Sequence, residues 1–380
     1  MTNASQYTVI LDRDNTINAD PGYLNNPANT HLLPGAAEGI ALLNRFGVRI
    51  FVASNQSGVA RGLISETQLA AVNEHITSLL RERGAMIGKI YVCPHGDDDN
   101  CDCRKPKPGL IRRIIAEQQI DPLKAYVVGD RARDLSCGLE AKIPGILVGG
   151  KDGIVLAADH ANPGAPVGGK DGNVPAADRA HPGAPVSSQD GNGEQMPENM
   201  VFHAANLHEA ASFILEEIFE RETRARVFSH ANAVMPVVEA AKAAGKRVVF
   251  TNGCFDLLHS GHVQLLAQAR ALGDFLLLGL NSDRSVRTLK GPSRPVNSEA
   301  DRARILAQLP YIDAVVIFDE DTPVELLSRV KPAIHVKGGD YVKEKLPEYE
   351  TVRQGGGDIV ILPFRKGYST TSILSRSAAK

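Results

Sequence analysis

Short apolar runs and segments of helical period alternate along most of the chain. From the start, YTVIL, VRIFVAS, KIYVC, AYVVG and GILVG have the length and character of strands, and helical-period segments fall near 36–46, 66–83, 107–119 and 132–141. That alternation predicts a parallel α/β layout. After a helix near 230–244 a second series opens, with KRVVFTN, DFLLLGLN, DAVVIF, AIHVKG and DIVILPF as strands and helical segments between them. The expected fold class is α/β, with two Rossmann-like parallel-sheet domains whose sites lie at the carboxyl ends of their strands.

One stretch breaks the pattern. GGKDGIVLAADHANPGAPV is followed at once by GGKDGNVPAADRAHPGAPV, a 19-residue tandem copy with 15 identities. Segments this short and this rich in Gly, Pro and Ala bury too little apolar surface to offset the entropy of ordering. They read as a flexible, disordered insertion rather than a repeat fold. MVFHAANLHEAASFILEEI then supplies one strand and one amphipathic helix, which suits the last unit of the first domain. The division expected is 1–149 plus 200–222 for the first domain, 150–199 for the insertion, 223–245 for a connecting helix and 246–380 for the second domain.

Length and charge narrow the functional classes. The 380 residues are 43% hydrophobic and 23% charged, enough for two cores. With 42 Lys and Arg against 44 Asp and Glu, the net charge of -2 gives no general attraction to nucleic acid or anionic lipid. Any phosphate binding must come from local geometry. No apolar run approaches the roughly 18 residues of a membrane helix, and MTNASQYTVILD lacks the basic start of a secretory signal. A cytoplasmic enzyme acting on small molecules, without nucleic-acid or membrane partners, is the expectation.

The first half gathers groups suited to phosphoryl transfer. YTVIL runs into DRDNT, which places Asp12 and Asp14 two residues apart and on the same side at a strand's end. Two carboxylates there make a hard, oxygen-rich Mg²⁺ site. Attack on a phosphate needs a nucleophile and an acid for the departing alkoxide, and Asp12 and Asp14 fit those roles in turn. An isolated pair of this kind is as readily a turn cap, but three further signals shift the balance. VASNQSG offers Ser54 and Asn55 to phosphate oxygens, Arg104 and Lys105 precede a helix, and AYVVGDRARD ends a strand with Asp130 as a third metal ligand and Arg131 beside it. Of five cysteines, Cys93, Cys101 and Cys103 join His95 within eleven residues, a complete tetrahedral set for structural Zn²⁺. Its expected job is to fold the intervening loop and carry Arg104 and Lys105 to the substrate.

In this order the motifs resemble the haloacid-dehalogenase phosphatases. Within them, DRDNTIN, SNQSGVARG, CPH, CDCRKPKPG and VGD are most similar to the heptose 1,7-bisphosphate phosphatases. Asn15 stands where that family usually has Gly, and Arg131 where it has Lys.

The second half carries nucleotidyl-transfer chemistry. KRVVFTNGCFDLLHSGHVQLL reads as a strand, a Gly-containing turn, then His259 and His262 opening a helix. Residues at i and i+3 share a helix face, so both imidazoles can address one phosphate, helped by the helix N-terminus. Such a site stabilises charge on an α-phosphate while pyrophosphate leaves. Cys254 reads as packing.

This motif resembles the cytidylyltransferase-like nucleotidyltransferases. LNSDRSVRTLKGPSRPVN, EADRARILAQL, VKGGDY and FRKGYSTTSIL are similar to those that make ADP-heptose from heptose 1-phosphate. The resemblance implies nucleotide binding by Thr251, Asn252, Gly253, Phe255, His259 and His262, with Lys290 and Arg302 on phosphates. It also implies that Thr370, Thr371 and Ser372 begin a helix that cradles the β and γ phosphates, with Mg²⁺ accompanying the triphosphate.

Taken together, the two resemblances name consecutive uses of one sugar. They imply a bifunctional enzyme that hydrolyses the 7-phosphate of heptose 1,7-bisphosphate and then transfers AMP from ATP, with room for a homo-oligomer formed through the second domain. A histidinol-phosphate-type phosphatase joined to a glycerol-phosphate or other cytidylyltransferase keeps the chemistry and changes both substrates. A non-catalytic sugar-nucleotide sensor predicts binding without turnover.

Overall fold

A computed structural model of the chain describes residues 6–149 and 195–363. Both copies of the repeat apart from Gly149, and Thr370, Thr371 and Ser372, lie outside the described residues. The chain divides into two compact units, one ending at Ile218 and the other beginning at Phe219.

In the first unit the elements run β1 (Thr8–Leu11), α1 (Ala36–Arg45), β2 (Arg49–Asn55), α2 (Glu66–Glu82), β3 (Ile90–Cys93) and α3 (Gly109–Gln118). They continue with β4 (Ala125–Gly129), α4 (Ala132–Ser136), β5 (Gly145–Val148), β6 (Met200–Ala204) and α5 (Leu207–Arg224), the last running past Ile218. The sheet is all parallel in the order β3-β2-β1-β4-β5-β6. Such strands are covered on both faces, which is why they read as unbroken apolar runs. Alternate residues go to opposite layers: Val9, Leu11, Val52 and Val128 pack with α1, α2 and α5, whereas Ile10, Phe51 and Val127 pack with Leu110, Ile111 and Ile114 of α3. Local signals set the helix ends. Ser65 caps α2 by accepting from the Gln68 N–H at 3.2 Å, and the Gln68 side chain accepts from the Ser65 N–H at 2.9 Å.

Beside β5, β6 completes this sheet, with Leu147 opposite His203. The segment after the repeats is therefore part of the first fold. α4 is shorter than the 132–141 pattern implies, because the chain leaves the helix after Ser136 to bury Cys137 and Ile143 against the sheet.

Phe219 onward contributes β7 (Val227–Phe228), α6 (Ala231–Ala243), β8 (Val248–Gly253), α7 (Ser260–Arg270), β9 (Phe275–Asn281) and α8 (Asp283–Lys290). α9 (Glu299–Ala307), β10 (Ala314–Phe318), α10 (Val324–Val330), β11 (Ile334–Gly338), α11 (Tyr349–Gln354) and β12 (Asp358–Leu362) follow. This sheet is also all parallel, in the order β12-β11-β8-β9-β10-β7. The segment 223–245, expected as a connecting helix, is not a separate linker. It supplies β7, which pairs with β10, and α6, whose Val234, Val238 and Ala241 are buried in this unit's core. Two residues of strand are too few to leave a periodic signal. Among the described residues no helix is long and apolar enough to cross a membrane.

In the first sheet the chain reverses its direction of growth between β1 and β4, and in the second the β8–β9–β10 and β11–β12 halves grow in opposite directions from the boundary between β8 and β11. There the connections diverge to opposite faces and leave a crevice at the strand ends.

The packing of α5 on α1 is tight at Gly39, where a Cβ would lie 2.5 Å from the Leu207 carbonyl oxygen. Gly39→Ala must push these helices apart, and a loss of about 1–3 kcal/mol is expected, measured by urea unfolding. An unchanged midpoint would contradict the placement of the post-repeat segment in the first core.

Candidate active sites

At the first crevice, β1 delivers Asp12 and β4 delivers Asp130. The Asp12 N–H continues the ladder by donating to Val128 O at 2.8 Å, so the residue is fixed where the strand ends. Carboxylate oxygens of Asp12, Asp130 and Asp134 lie within 4.8 Å of one another. Between two of them sits the Lys105 ammonium, 2.5 Å from Asp12 Oδ1, 2.8 Å from Asp134 Oδ1 and 2.7 Å from Ala53 O. Lys105 is 4% exposed, and its side chain is held charged by Asp12 and Asp134, which outweigh the opposing effect of burial. One ammonium does not balance three carboxylates. Burial, then Asp134 and Asp14, push Asp12 up to about 7 against the pull of Lys105. Burial and Asp134 push Asp130 up to about 6.

Three expectations need correction. Asp14, expected as a metal ligand beside Asp12, is not in this cluster. The strand stops at Leu11, so same-side alternation has lapsed by residue 14. Its carboxylate instead accepts from Arg13 Nε and Nη2, both at 2.9 Å, from Gln56 Nε2 at 2.6 Å and from Asn18 Nδ2 at 3.1 Å. The Asn55 side chain is not free for phosphate. It donates to Lys105 O and accepts from Lys105 N, each at 3.0 Å, and so fixes the segment that carries the ammonium. Arg131 lies 3.6 Å from Asp130 and lines neither nearby cavity. Arg131 is the extended residue before α4, whereas Arg133, the second residue of the helix, lines both.

Those cavities flank the cluster. The larger, about 480 Å³, is edged by Asp97, Arg104, Lys105, Lys107 and Arg133. The smaller, about 200 Å³, is edged by Asp14, Asp20, Asn55, Gln56, Arg104 and Arg133. Ser54 is buried, and its Oγ accepts from Gln56 Nε2 at 2.8 Å, so Gln56 ties Ser54 to Asp14. Gln56 and Arg133 went unassigned from sequence, although SNQSG and GDRARD contain them. Asn15 takes φ 60, the left-handed region that Asn tolerates better than most residues, so the turn closes without Gly.

Cys93, His95, Cys101 and Cys103 also converge. Cys93 Sγ is 3.2 Å from Cys103 Sγ, 3.7 Å from Cys101 Sγ and 3.6 Å from His95 Nδ1, which is 3.3 Å from Cys103 Sγ. This loop reaches the crevice through Arg104, whose Nε donates to Asp97 Oδ1 at 2.8 Å and whose Nη1 donates to His95 O at 3.3 Å.

At the second crevice, β8 ends in Asn252 and Gly253. The chain turns through Phe255 at φ 45 and enters α7 at His259. The two imidazoles stack, with ring centroids 3.8 Å apart and planes at 15°, and the buried Phe255 ring backs His262 at 5.1 Å. Phe255 thus supports an imidazole. Burial, then His259, push His262 down to about 4, and burial lowers His259. At neutral pH both rings are uncharged, so each has one N–H donor and one accepting ring nitrogen.

Two further residues leave the nucleotide list. The Thr251 hydroxyl is buried and donates to Val336 O at 3.0 Å, joining β8 to β11. Arg302, expected on phosphate, is 1% exposed. Its Nε donates to Asn297 O, its Nη1 to Cys254 O and Asn281 O, and its Nη2 to Asp283 Oδ1, so it ties the turn after β8 to the end of β9. An arginine in a helical segment reads from sequence as exposed, and only the packing of α9 reveals otherwise. Lys290 does end α8 exposed, and its charge acts on Cys254. Asp256, unassigned from sequence, accepts from the Val296 N–H at 2.7 Å and pairs with Arg294, which anchors the 294–297 segment.

Residues 250–376 match the cytidylyltransferase-like family, and residues 102–167 match the HAD-hydrolase-like family. The Bifunctional protein HldE of Pelobacter propionicus is 58% identical over 140 residues, 37% of this chain and 29% of that one. Its namesake from Syntrophotalea carbinolica is 51% identical over 170 residues, 45% of this chain and 34% of that one. The chain thus spans about a third of the length of these curated relatives. Among solved structures, D,D-heptose 1,7-bisphosphate phosphatase from B. bronchiseptica, complexed with magnesium and phosphate, is 29% identical. That match covers 56% of this chain and 99% of the other, with a TM-score of 0.43.

The surplus of carboxylates has a measurable consequence. Because Asp12 sits at about 7 when folded against 3.8 ordinarily, the folded chain binds more protons in between. Its contribution is full below pH ~4 and is lost as pH rises through 7. In magnesium-free buffer Asp12→Asn is expected to exceed the parent by about 1–3 kcal/mol at pH 8 and to match it at pH 4, measured by urea unfolding. A parent more stable than the variant at pH 8 would contradict the charge balance.

Proposed function

We propose, on the premise that a HAD-hydrolase-like unit and a cytidylyltransferase-like unit share this chain, that it performs two consecutive steps of ADP-heptose synthesis. The first unit removes the 7-phosphate of D-glycero-D-manno-heptose 1,7-bisphosphate, and the second transfers AMP from ATP to the heptose 1-phosphate, releasing pyrophosphate. The carrying observation is the gathering of Asp12, Asp130, Asp134 and Lys105 at one crevice and of His259 and His262 at another, each at the switch point of its own sheet.

Asp12 is the nucleophile. Its carboxylate is fixed by Lys105, whose backbone is fixed in turn by Asn55, so attack begins from one geometry. Asp14, oriented by Arg13, Asn18 and Gln56 and edging the smaller cavity, protonates the departing sugar oxygen. It then takes the proton of the water that releases phosphate from Asp12. Lys105, with Arg104 at the rim, offsets charge on the transferring group. The donor set fits Mg²⁺: the carboxylates of buried Asp12 and half-buried Asp130, raised by desolvation and by the neighbouring Asp134, supply hard oxygen ligands. Bound there, the ion would screen the nucleophile from the phosphoryl oxygens.

Zinc suits the sulfur cluster on similar grounds. Tetrahedral coordination at Zn–S of about 2.3 Å and Zn–N of about 2.0 Å places neighbouring ligand atoms roughly 3.5–3.8 Å apart, and the observed separations run from 3.2 to 3.7 Å. Burial pushes the Cys93 thiol up to about 12, a cost that a metal would reverse by holding the thiolate. With four protein ligands the site is structural. It stabilises the loop that presents Arg104.

In the second unit the neutral imidazoles at the start of α7 donate to the α-phosphate as the anomeric phosphate attacks, and the helix N-terminus adds its dipole. Removal of the 7-phosphate leaves the anomeric phosphate in place, and that phosphate is the nucleophile of the second step. A cytoplasmic location suits a chain that needs ATP and whose five cysteines form no disulfide.

Asp12→Asn is expected to lower phosphate release about 10³-fold or more while leaving pyrophosphate release within twofold. His262→Ala is expected to lower pyrophosphate release about 10²–10³-fold and to spare the phosphatase. Loss of both activities in either variant would contradict separate sites. Elemental analysis is expected to find zinc in the purified chain and to lose it in Cys101→Ser, with phosphate release down about tenfold or more. A zinc-free parent of full phosphatase activity would remove the structural metal from the account.

A further inference from the structure

β8 and β11 are neighbours, with Thr251 opposite Val336. One residue further along each strand, Asn252 and Lys337 stand together at the switch point of the second sheet. Lys337 Nζ donates to Asn252 Oδ1 at 3.2 Å. The same ammonium is ion-paired at 2.7 Å with Glu348, which begins α11 and is 1% exposed. His335, fully buried and pushed down to about 3 by burial and Lys337, is neutral, and its Nε2 lies 3.3 Å from the same Oδ1.

An ammonium can only donate, so Oδ1 of Asn252 is committed to Lys337 and the amide NH₂ must face the other way. Among the described residues that NH₂ makes no hydrogen bond, and Lys337 has three N–H donors for its two partners. A carboxylate as buried as Glu348 is costly to desolvate, and apolar residues would serve stability as well. A lysine stem is otherwise floppy and loses rotamer entropy when it is fixed. Anchoring it removes that cost before a ligand arrives.

We propose that Lys337 touches substrate in the nucleotidyl-transfer site and that Glu348 is its positioning residue. Glu348 holds the ammonium, the ammonium sets the Asn252 amide, and the open N–H donors of Lys337 and Asn252 take a phosphate oxygen. This rests on the nucleotidyl-transfer reading above. The oxygen belongs to ATP or to heptose 1-phosphate, which share the chemistry.

Lys337→Met alone strands a buried carboxylate and can unfold the unit. The deciding variant is therefore K337M/E348Q, which removes both charges together, with Lys337→Arg as the conservative partner. Calorimetry on the full chain measures binding of Mg·ATP and of heptose 1-phosphate separately, beside KM and kcat for pyrophosphate release. K337M/E348Q is expected to melt within a few degrees of the parent and to bind one of the two ligands about 10–100-fold more weakly. KM for that ligand should rise alike, with partial recovery in Lys337→Arg. Weakening confined to ATP assigns the triphosphate, and weakening confined to heptose 1-phosphate assigns the acceptor; either supports the proposal. Dissociation constants unchanged for both ligands overturn it, and leave a pair that only ties β11 to α11. A parent that binds these ligands without releasing pyrophosphate overturns the transfer reading, while the binding arm still decides Lys337.

Discussion

A single buried ammonium organises the first unit's chemistry. Lys105 reaches Asp12, Asp134 and a carbonyl of β2 at once, and its own backbone is clasped on both sides by the Asn55 amide. Without it, three carboxylates at the mouth of one sheet would repel one another in a poorly hydrated site. With it, the cluster is held together yet still carries excess negative charge. A site so balanced is stable enough to fold and still has a place for a dication and a phosphoryl group.

Much of the surrounding structure serves that arrangement. The sulfur cluster shapes the loop before Lys105, Arg104 links that loop to the crevice, and Gln56 couples Ser54 to Asp14. Asp14 stands apart from the carboxylate cluster, held by Arg13, Asn18 and Gln56. In the second unit the problem is solved with neutral groups. Stacked imidazoles 3.8 Å apart cannot both carry charge cheaply, and burial keeps both rings neutral at the start of α7. The charged residues nearby, Arg302 with Asp283 and Lys337 with Glu348, are already paired.

The sheets were legible in the sequence because parallel strands covered on both faces leave continuous apolar runs, and four residues such as TVIL suffice. Asp12, Asp130 and the HxGH pair were legible because they sit at strand ends or on one helix face, where spacing fixes direction. Asp14 was misplaced because alternation holds only while the strand lasts. Asn55 and Thr251 were misassigned because a polar side chain at a strand end can serve a neighbouring backbone as readily as a ligand, and sequence does not distinguish the two. Arg302 was misassigned because only the packing of α9 reveals that its guanidinium is buried against backbone carbonyls. β7 left no trace because two residues have no period.

The proposed function requires one chain to use two separate phosphate sites in a fixed order on one sugar. Phosphorus NMR of the full chain with heptose 1,7-bisphosphate and ATP tests it most directly. Orthophosphate drawn from the 7-position should appear before pyrophosphate, and every ADP-heptose formed should lack a 7-phosphate. An ADP-heptose that retains its 7-phosphate, or orthophosphate released from the anomeric position, would contradict it.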